Sequence, residues 1–133
     1  MKLITRDTDY AFRAICFLSK RKGQIVCVNE LVRELKIPRP FLRKILQVLN
    51  KKGVLHSSKG QDGGFRLAIA AERIFLLDLI KIFQGRLELN ECLFKKSACP
   101  RIKTCILRKK IAKIEKYVLG QLRPVSIASL SRR

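Results

Sequence analysis

The chain has 133 residues, of which 47% are apolar, and its formal net charge at pH 7 is +20. The length indicates one domain, or one domain with an appended helix, and the apolar share excludes wholesale disorder. So much positive charge on a small domain favours a polyanionic partner, with nucleic acid first and an acidic membrane surface second. A basic surface that only keeps the protein soluble is the plain alternative.

The sequence contains no run of eighteen apolar residues, and its start, MKLITRDTDYAFRA, lacks the apolar centre of a signal peptide. We therefore expect a cytoplasmic protein. Disulfides are rare in that compartment, and the five cysteines form an odd number, so they require another explanation.

The first half of the chain predicts two helices and a short strand. A helix over about residues 7–19 has Tyr10, Ala14, Phe17 and Leu18 on one face. Residues 25–28 are largely β-branched and predict a brief strand, after which Asn29 is a candidate N-cap for a second helix. The inner face of that helix is Leu31, Val32 and Leu35.

A third helix begins near Pro38 and Pro40, because proline suits the first turn of a helix or the loop before it. Its apolar stripe is Leu42, Ile45, Leu46 and Leu49. Two short helices joined by a tight turn, the second with exposed cations near its start, predict a helix-turn-helix. A plain helical hairpin is the alternative.

The next segment predicts two strands, VL and FRLAI, joined by the glycine-rich HSSKGQDGG. A β-hairpin directly after a helix-turn-helix is a wing, which favours DNA binding. We expect its glycines to allow positive backbone angles and a close approach to phosphate. Their spacing lacks the lysine and hydroxyl of a mononucleotide-binding loop.

The predicted DNA contacts come from the third helix and the wing. Helix residues Arg39, Phe41, Arg43 and Lys44 are expected in the major groove, where arginine pairs with guanine. Wing residues Ser58, Lys59, Gly60, Gly63 and Gly64 are expected at the minor groove or the phosphates.

A fourth helix is predicted over about residues 71–83. The last helix is basic but has an apolar stripe of Leu107, Ile111, Ile114, Val118 and Leu122. We predict that this stripe forms a homodimer, with packing back on its own domain as the alternative. The predicted division is a winged helix-turn-helix domain over residues 1–84, then a cysteine loop and dimerisation helix over residues 85–133.

Three cysteines, Cys92, Cys99 and Cys105, lie in the basic segment ECLFKKSACPRIKTCILRKK. Their spacing does not match the short CxxC pairs of zinc sites, and the one histidine, His56, lies in the predicted wing. Three thiolates of one loop can hold three corners of an iron–sulfur cluster, and the neighbouring cations favour thiolates. Cys16 and Cys27 lie in apolar contexts and are predicted core residues.

The chain resembles, over nearly its whole length, the iron–sulfur winged-helix regulators typified by IscR and NsrR. The start KLITRDTDYAFRAI, the helix-turn-helix, the wing KGQDGGFRL and three late cysteines before a long helix carry the resemblance. It implies a dimer with crossing long helices and a 2Fe–2S or 4Fe–4S cluster bound by the three cysteines and one further ligand.

The resemblance leaves the fourth ligand open. In IscR-like members a histidine follows the third cysteine by three residues, but Arg108 stands there in this chain and cannot ligate. In NsrR-like members an aspartate of the first helix reaches across from the partner subunit, and the matching residue here is Asp9. Asp9 has a plain alternative, which is to cap its own helix or pair with a wing lysine.

We therefore predict a mainly α winged helix-turn-helix regulator that binds a palindromic operator in double-stranded DNA as a homodimer, without a membrane partner. Its cluster would sense nitric oxide, redox state or iron–sulfur status. The alternatives are a cluster-free regulator that responds to a partner protein or metabolite, and a basic RNA-binding protein. No paired carboxylates or nucleophile–base set stand together, so no enzyme is predicted.

Overall fold

A computed structural model describes residues 2–88 and 105–131 of the chain, and the structural statements below concern these residues. The elements in chain order are α1 (Arg6–Lys20), α2 (Val28–Leu35), α3 (Arg39–Lys51), β1 (Leu55–Ser58), β2 (Gly64–Leu67), a 3₁₀ helix (Ala71–Arg73), α4 (Leu76–Gln84), α5 (Ile106–Leu122) and α6 (Ile127–Leu130). This mainly helical fold with one antiparallel hairpin confirms the predicted winged helix-turn-helix class. No described helix is long and apolar enough to cross a membrane.

Helix α1 forms the centre of the core. It begins after Thr5, an N-cap residue whose side chain accepts a hydrogen bond from the Thr8 N–H at 3.5 Å. Its inner face is fully buried at Ala11, Ala14 and Ile15, and these side chains pack with those of α3 and α4. The predicted helix is confirmed, with one additional residue at each end.

The turn between α2 and α3 depends on one left-handed residue and two prolines. Lys36 has a φ of 55° and ends α2, while Pro38 is the N-cap of α3 and Pro40 lies in its first turn. The predicted apolar stripe of α3 is buried at Leu42, Ile45, Leu46 and Leu49. Burial of such side chains contributes roughly 1.5–3 kcal/mol each, so α3 is firmly oriented on the core.

The start of α2 differs from the prediction. The helix begins at Val28 with Cys27 as its N-cap, so Asn29 lies inside the first turn and is not the cap. The predicted strand over residues 25–28 is reduced to Val26, which exchanges two backbone hydrogen bonds of 2.9 Å with Phe65. Phe65 lies in the wing, far from Val26 in the sequence, so a pattern of neighbouring residues cannot reveal this pairing.

The wing is a two-stranded antiparallel hairpin. Leu55 pairs with Leu67 at its base and Ser58 with Gly64 at its end, so residues 59–63 form the connecting loop. Leu55 is buried and anchors the hairpin to the core beside α3.

The helix predicted over residues 71–83 is divided in two. A 3₁₀ helix comes first, Ile74 and Phe75 are extended, and α4 then runs to Gln84. The extended pair is held by the C-terminal segment, since the Ile127 N–H donates to the Ile74 carbonyl at 2.7 Å and the Leu76 N–H donates to the Val125 carbonyl at 3.0 Å. Ile127 is completely buried, so the segment after α5 returns to the core formed by the N-terminal elements.

Candidate nucleic-acid interface

Helix α3 separates its apolar residues from its cations. The four predicted contact residues, Arg39, Phe41, Arg43 and Lys44, are all exposed, while the stripe on the other face is buried. The first turn of α3 contains no acidic residue that would neutralise these cations. An exposed, positively charged helix start on a fixed scaffold is the geometry with which a recognition helix enters the major groove.

A second cation source next to α3 is Arg6, the first residue of α1. Its guanidinium lies 4.4 Å from the centre of the Phe41 ring, within the range of a cation–π contact. This contact of Arg6 is not predictable from the sequence, because only the packing of α1 against α3 brings Arg6 to the recognition helix. The start of α1 therefore places one more guanidinium beside α3, and this guanidinium is also paired with the Asp7 carboxylate at 3.6 Å.

The wing loop presents the predicted residues Lys59 and Gly60 to solvent. Gly60 has a φ of 106°, a left-handed conformation that glycine adopts without strain. Ser58 is half-buried at the end of β1, where it pairs with Gly64. The loop that carries Lys59 is thus held by a short, regular hairpin.

Gly63 and Gly64 are explained by contacts inside the protein. Neither has a positive φ, and the expectation of such angles holds only at Gly60 among the three wing glycines. A Cβ on Gly64 would lie 2.2 Å from the Val26 carbonyl oxygen, and one on Gly63 would lie 2.3 Å from the Ser58 carbonyl oxygen. The close approach at these two glycines is to protein backbone, which allows the wing to pair with Val26.

The cysteine prediction is only partly covered by the described residues. Cys105 is the half-buried N-cap of α5 and has a free thiol, whereas Cys92 and Cys99 lie outside the described residues. Residues 2–88 and 105–131 bring no three histidine, cysteine, aspartate or glutamate side chains together around a possible metal position. The three-cysteine site stays a prediction.

The two remaining cysteines have different environments. Cys16 is half-buried against the core, and burial raises the pKa of its thiol, an effect that nearby Lys20 partly opposes. Its thiolate is therefore disfavoured, as expected for a core residue. Cys27 is exposed at the N-cap of α2, so the prediction of a core position is wrong there, because the chain leaves the core between Val26 and the start of the helix.

Asp9 has a partner in its own helix. Its carboxylate accepts from the Arg13 guanidinium at 2.8 Å, and both side chains are about half exposed. The N-cap of α1 is Thr5, so Asp9 does not take the capping role that the sequence left open. Arg108 lies exposed in the first turn of α5.

The chain matches a family model over residues 4–133, and that model is described as Rrf2, an iron-dependent transcriptional regulator. It is 32% identical to a protein of Aquifex aeolicus named as an HTH-type transcriptional regulator, an alignment that covers 96% of this chain and 91% of that protein. It is 31% identical to NsrR of Shouchella clausii, over 78% of this chain and 67% of NsrR.

Solved structures agree in fold. The chain superposes on CymR, described as the global cysteine regulator of B. subtilis, with a TM-score of 0.78 and 20% identity over 98% of this chain and 97% of CymR. It superposes on IscR of T. potens with a TM-score of 0.74 and 20% identity over 98% of this chain and 85% of IscR. Members of the matched family are DNA-binding regulators of transcription and not enzymes, as the sequence predicts. The resemblance inferred from the sequence is thereby confirmed, and the chain belongs to the Rrf2 family of transcriptional regulators.

Proposed function

We propose that this regulator binds a palindromic operator as a homodimer, and that an iron–sulfur cluster held by Cys92, Cys99 and Cys105 controls its affinity for DNA. The observation that carries the DNA-binding part is the division of α3 into a buried apolar face and an exposed face that carries Arg39, Arg43 and Lys44. Core packing fixes the orientation of the helix, so its cations meet DNA without reorganisation of the fold.

Residues of α3 and the wing have different roles on DNA. Arg39 and Arg43 are four residues apart and share one face of α3, where each guanidinium can pair with the two acceptors of a guanine edge. Lys59 lies at the wing tip and contributes charge next to the phosphates, which adds affinity without base preference.

Helix α5 supports the dimer. None of its residues is buried in the described structure. Of the predicted stripe, Leu107 and Ile114 are 64% and 50% exposed, and the other members are half-buried: Ile111, Val118 and Leu122. Exposed apolar side chains that recur along one helix favour association with a second copy of that helix. A two-fold pair of α5 helices would place two copies of α3 on successive turns of a palindromic duplex.

The donor set of the cysteine segment suits an iron–sulfur cluster. Clusters are held by cysteine thiolates, and the three cysteines lie among lysines and arginines whose positive charge would offset the negative charge of a cluster. When bound, such a cluster supplies iron–sulfur bonds that oxidants, nitric oxide or iron shortage can break. Cys105 also lies immediately before α5, as its N-cap. A change in the bonding of its thiol would therefore act directly on the start of the dimerisation helix.

The fourth ligand in this proposal is Asp9 of the partner subunit. A carboxylate is a suitable ligand for iron, but one oxygen of Asp9 already pairs with Arg13 in its own helix. That ion pair favours a second candidate function, a regulator of the same fold without a cluster, in which Asp9 keeps its bond to Arg13.

Anaerobic purification of the full chain, followed by iron, sulfide and visible-absorption measurements, tests the cluster. We expect iron and sulfide in the wild type and their loss in Cys99→Ala, while Cys16→Ala retains both, since Cys16 lies outside the cysteine segment and its thiolate is disfavoured. DNA binding is measured in parallel, before and after removal of the iron. Full iron and sulfide in Cys99→Ala contradicts the site, and DNA binding by a wild type that never holds iron supports the cluster-free regulator.

A further inference from the structure

The contact between Arg6 and Phe41 joins the start of α1 to the start of the recognition helix. Phe41 is 40% exposed and lies between Arg39 and Arg43 in the exposed part of α3. The Arg6 guanidinium covers its ring at 4.4 Å, whereas the same guanidinium is 5.9 Å from the Tyr10 ring and 3.6 Å from an Asp7 carboxylate oxygen. Phe41 is thus the shorter of the two ring contacts of Arg6.

The segment that carries Arg6 is fixed from a third element. The Thr5 N–H donates to the Gln84 side-chain oxygen at 2.9 Å, and the Gln84 amide nitrogen donates to the Leu3 carbonyl at 3.1 Å. Gln84 is the last residue of α4, so the end of that helix holds the backbone immediately before Arg6. A guanidinium on an anchored backbone loses less freedom when it stacks on a ring than one on a free chain end.

We propose that Arg6 is a positioning residue for Phe41, and that Phe41 reads the methyl group of one thymine in each half-site. This inference rests on the proposed DNA-binding role of α3. An aromatic side chain at a recognition helix contacts the thymine methyl in the major groove. With one ring face covered by Arg6, the remaining exposed part of the ring has a fixed direction, which a phenylalanine without this contact would lack.

The variant Arg6→Lys distinguishes stacking of the Arg6 guanidinium on Phe41 from the effect of its positive charge. Lysine keeps the positive charge but lacks the flat guanidinium that stacks on a ring. The wild-type full chain first selects a preferred duplex from a randomised pool of duplex DNA. Binding is then measured to versions of that duplex in which each thymine in turn is replaced by uracil, which lacks only the methyl group.

We expect Arg6→Lys to reduce the preference for one thymine over uracil about two- to fivefold, the size of an exposed cation–π contact. The salt dependence of binding should stay unchanged, because no charge is lost. Phe41→Leu should reduce the same preference, and the double variant should lose no more than Phe41→Leu alone. Arg21→Lys is the matched control, since Arg21 stacks on the Phe17 ring at 4.8 Å at the other end of α1 and pairs with Glu30.

Three results would overturn the inference. They are an unchanged thymine preference in Arg6→Lys, an equal loss in Arg21→Lys, and additive losses in the double variant. Arg43→Ala distinguishes this failure from failure of the proposed function. If Arg43→Ala alters the selected sequence and Arg6→Lys does not, only the role of Arg6 is wrong, whereas the absence of any selected duplex overturns both.

Discussion

Individual residues at the DNA-binding surface are expected to act in two different ways, and Arg43 and Lys59 separate them. Arg43→Ala should relax the base preference at one position of each half-site, with a loss of about 1–3 kcal/mol of discrimination. Lys59→Ala should weaken binding to all sequences alike and reduce the slope of log K against log salt by about one. A binding selection and a salt titration on each variant measure the two effects. A sequence-selective loss in Lys59→Ala, or an unchanged selection with Arg43→Ala, contradicts the assignment.

The wing glycines give a prediction about stability at the same scale. Gly64→Ala should destabilise the protein by about 1–3 kcal/mol or more, because the new Cβ would lie 2.2 Å from the Val26 carbonyl oxygen, on backbone that cannot turn aside. Gly120→Ala is the control, since nothing lies within 4 Å of a Cβ at that position in α5. There the gain in helix propensity should leave stability unchanged or raise it by about 0.5–1 kcal/mol. Denaturant unfolding compares the two variants, and equal stabilities would contradict the close contact.

Residue-level predictions from the sequence succeeded where the cause is local. The exposed cations of α3 follow from a helical period and a proline start, both of which lie within a few residues. The role of Gly64 depends on Val26, and that of Arg6 on Phe41, and each pair is joined only by tertiary packing. Such contacts leave no periodic signal in the chain. The sequence therefore predicts a phosphate contact at the wing glycines and no role for Arg6.

Among the elements, α6 is the one whose importance the sequence concealed. It is only four residues long, yet its Ile127 is fully buried against the core and bonded to the Ile74 backbone. Its sequence, IASL, has no distinct period, and the helix predicted over residues 71–83 hid the extended pair that receives it. The predicted start of α2 was wrong for a related reason. Backbone pairing with the wing ends at Val26, and the helix begins only two residues later, at Val28.

Ile127→Ala tests whether α6 is part of the folding unit. Loss of a fully buried isoleucine side chain should cost about 2–5 kcal/mol, and the α6 contact with α1 should weaken with it. Ile25→Ala removes the same atoms from a side chain that is 45% exposed and should cost about 0.5 kcal/mol or less. Thermal unfolding followed by circular dichroism gives both values. A loss in Ile127→Ala as small as that in Ile25→Ala would mean that the C-terminal segment does not share the core.

For the whole molecule, the path of the chain links the cysteine segment to both ends of the DNA-binding unit. Before this segment, Gln84 at the end of α4 bonds to the backbone of Leu3 and Thr5, next to the start of α1. After it, α5 begins at Cys105 and leads to α6, which is bonded into the core. If the cysteine segment binds a cluster as proposed, a rearrangement there would act on elements that are anchored to the recognition unit at two places. Coupling of this kind between two sites is typically worth about 1–3 kcal/mol.

Dimerisation is the prediction on which the operator geometry depends. Leu107→Asp combined with Ile114→Asp should give monomers, because two charges per helix would lie in an apolar contact without partners. Both side chains are at least half exposed in the single chain, so the monomer fold should keep its unfolding temperature. We expect the dimer Kd to rise at least about a hundredfold, measured by light scattering over a dilution series.

Ala112→Asp is the control for charge alone, since Ala112 is exposed on the opposite side of α5 from both substituted residues. The double variant should also lose its preference for a palindrome over a single half-site, because two copies of α3 no longer bind together. Ala112→Asp should keep both the dimer and this preference. If the double variant stays dimeric while Ala112→Asp becomes monomeric, the partner helix contacts the opposite face of α5, and the two recognition helices would be related by a different two-fold axis.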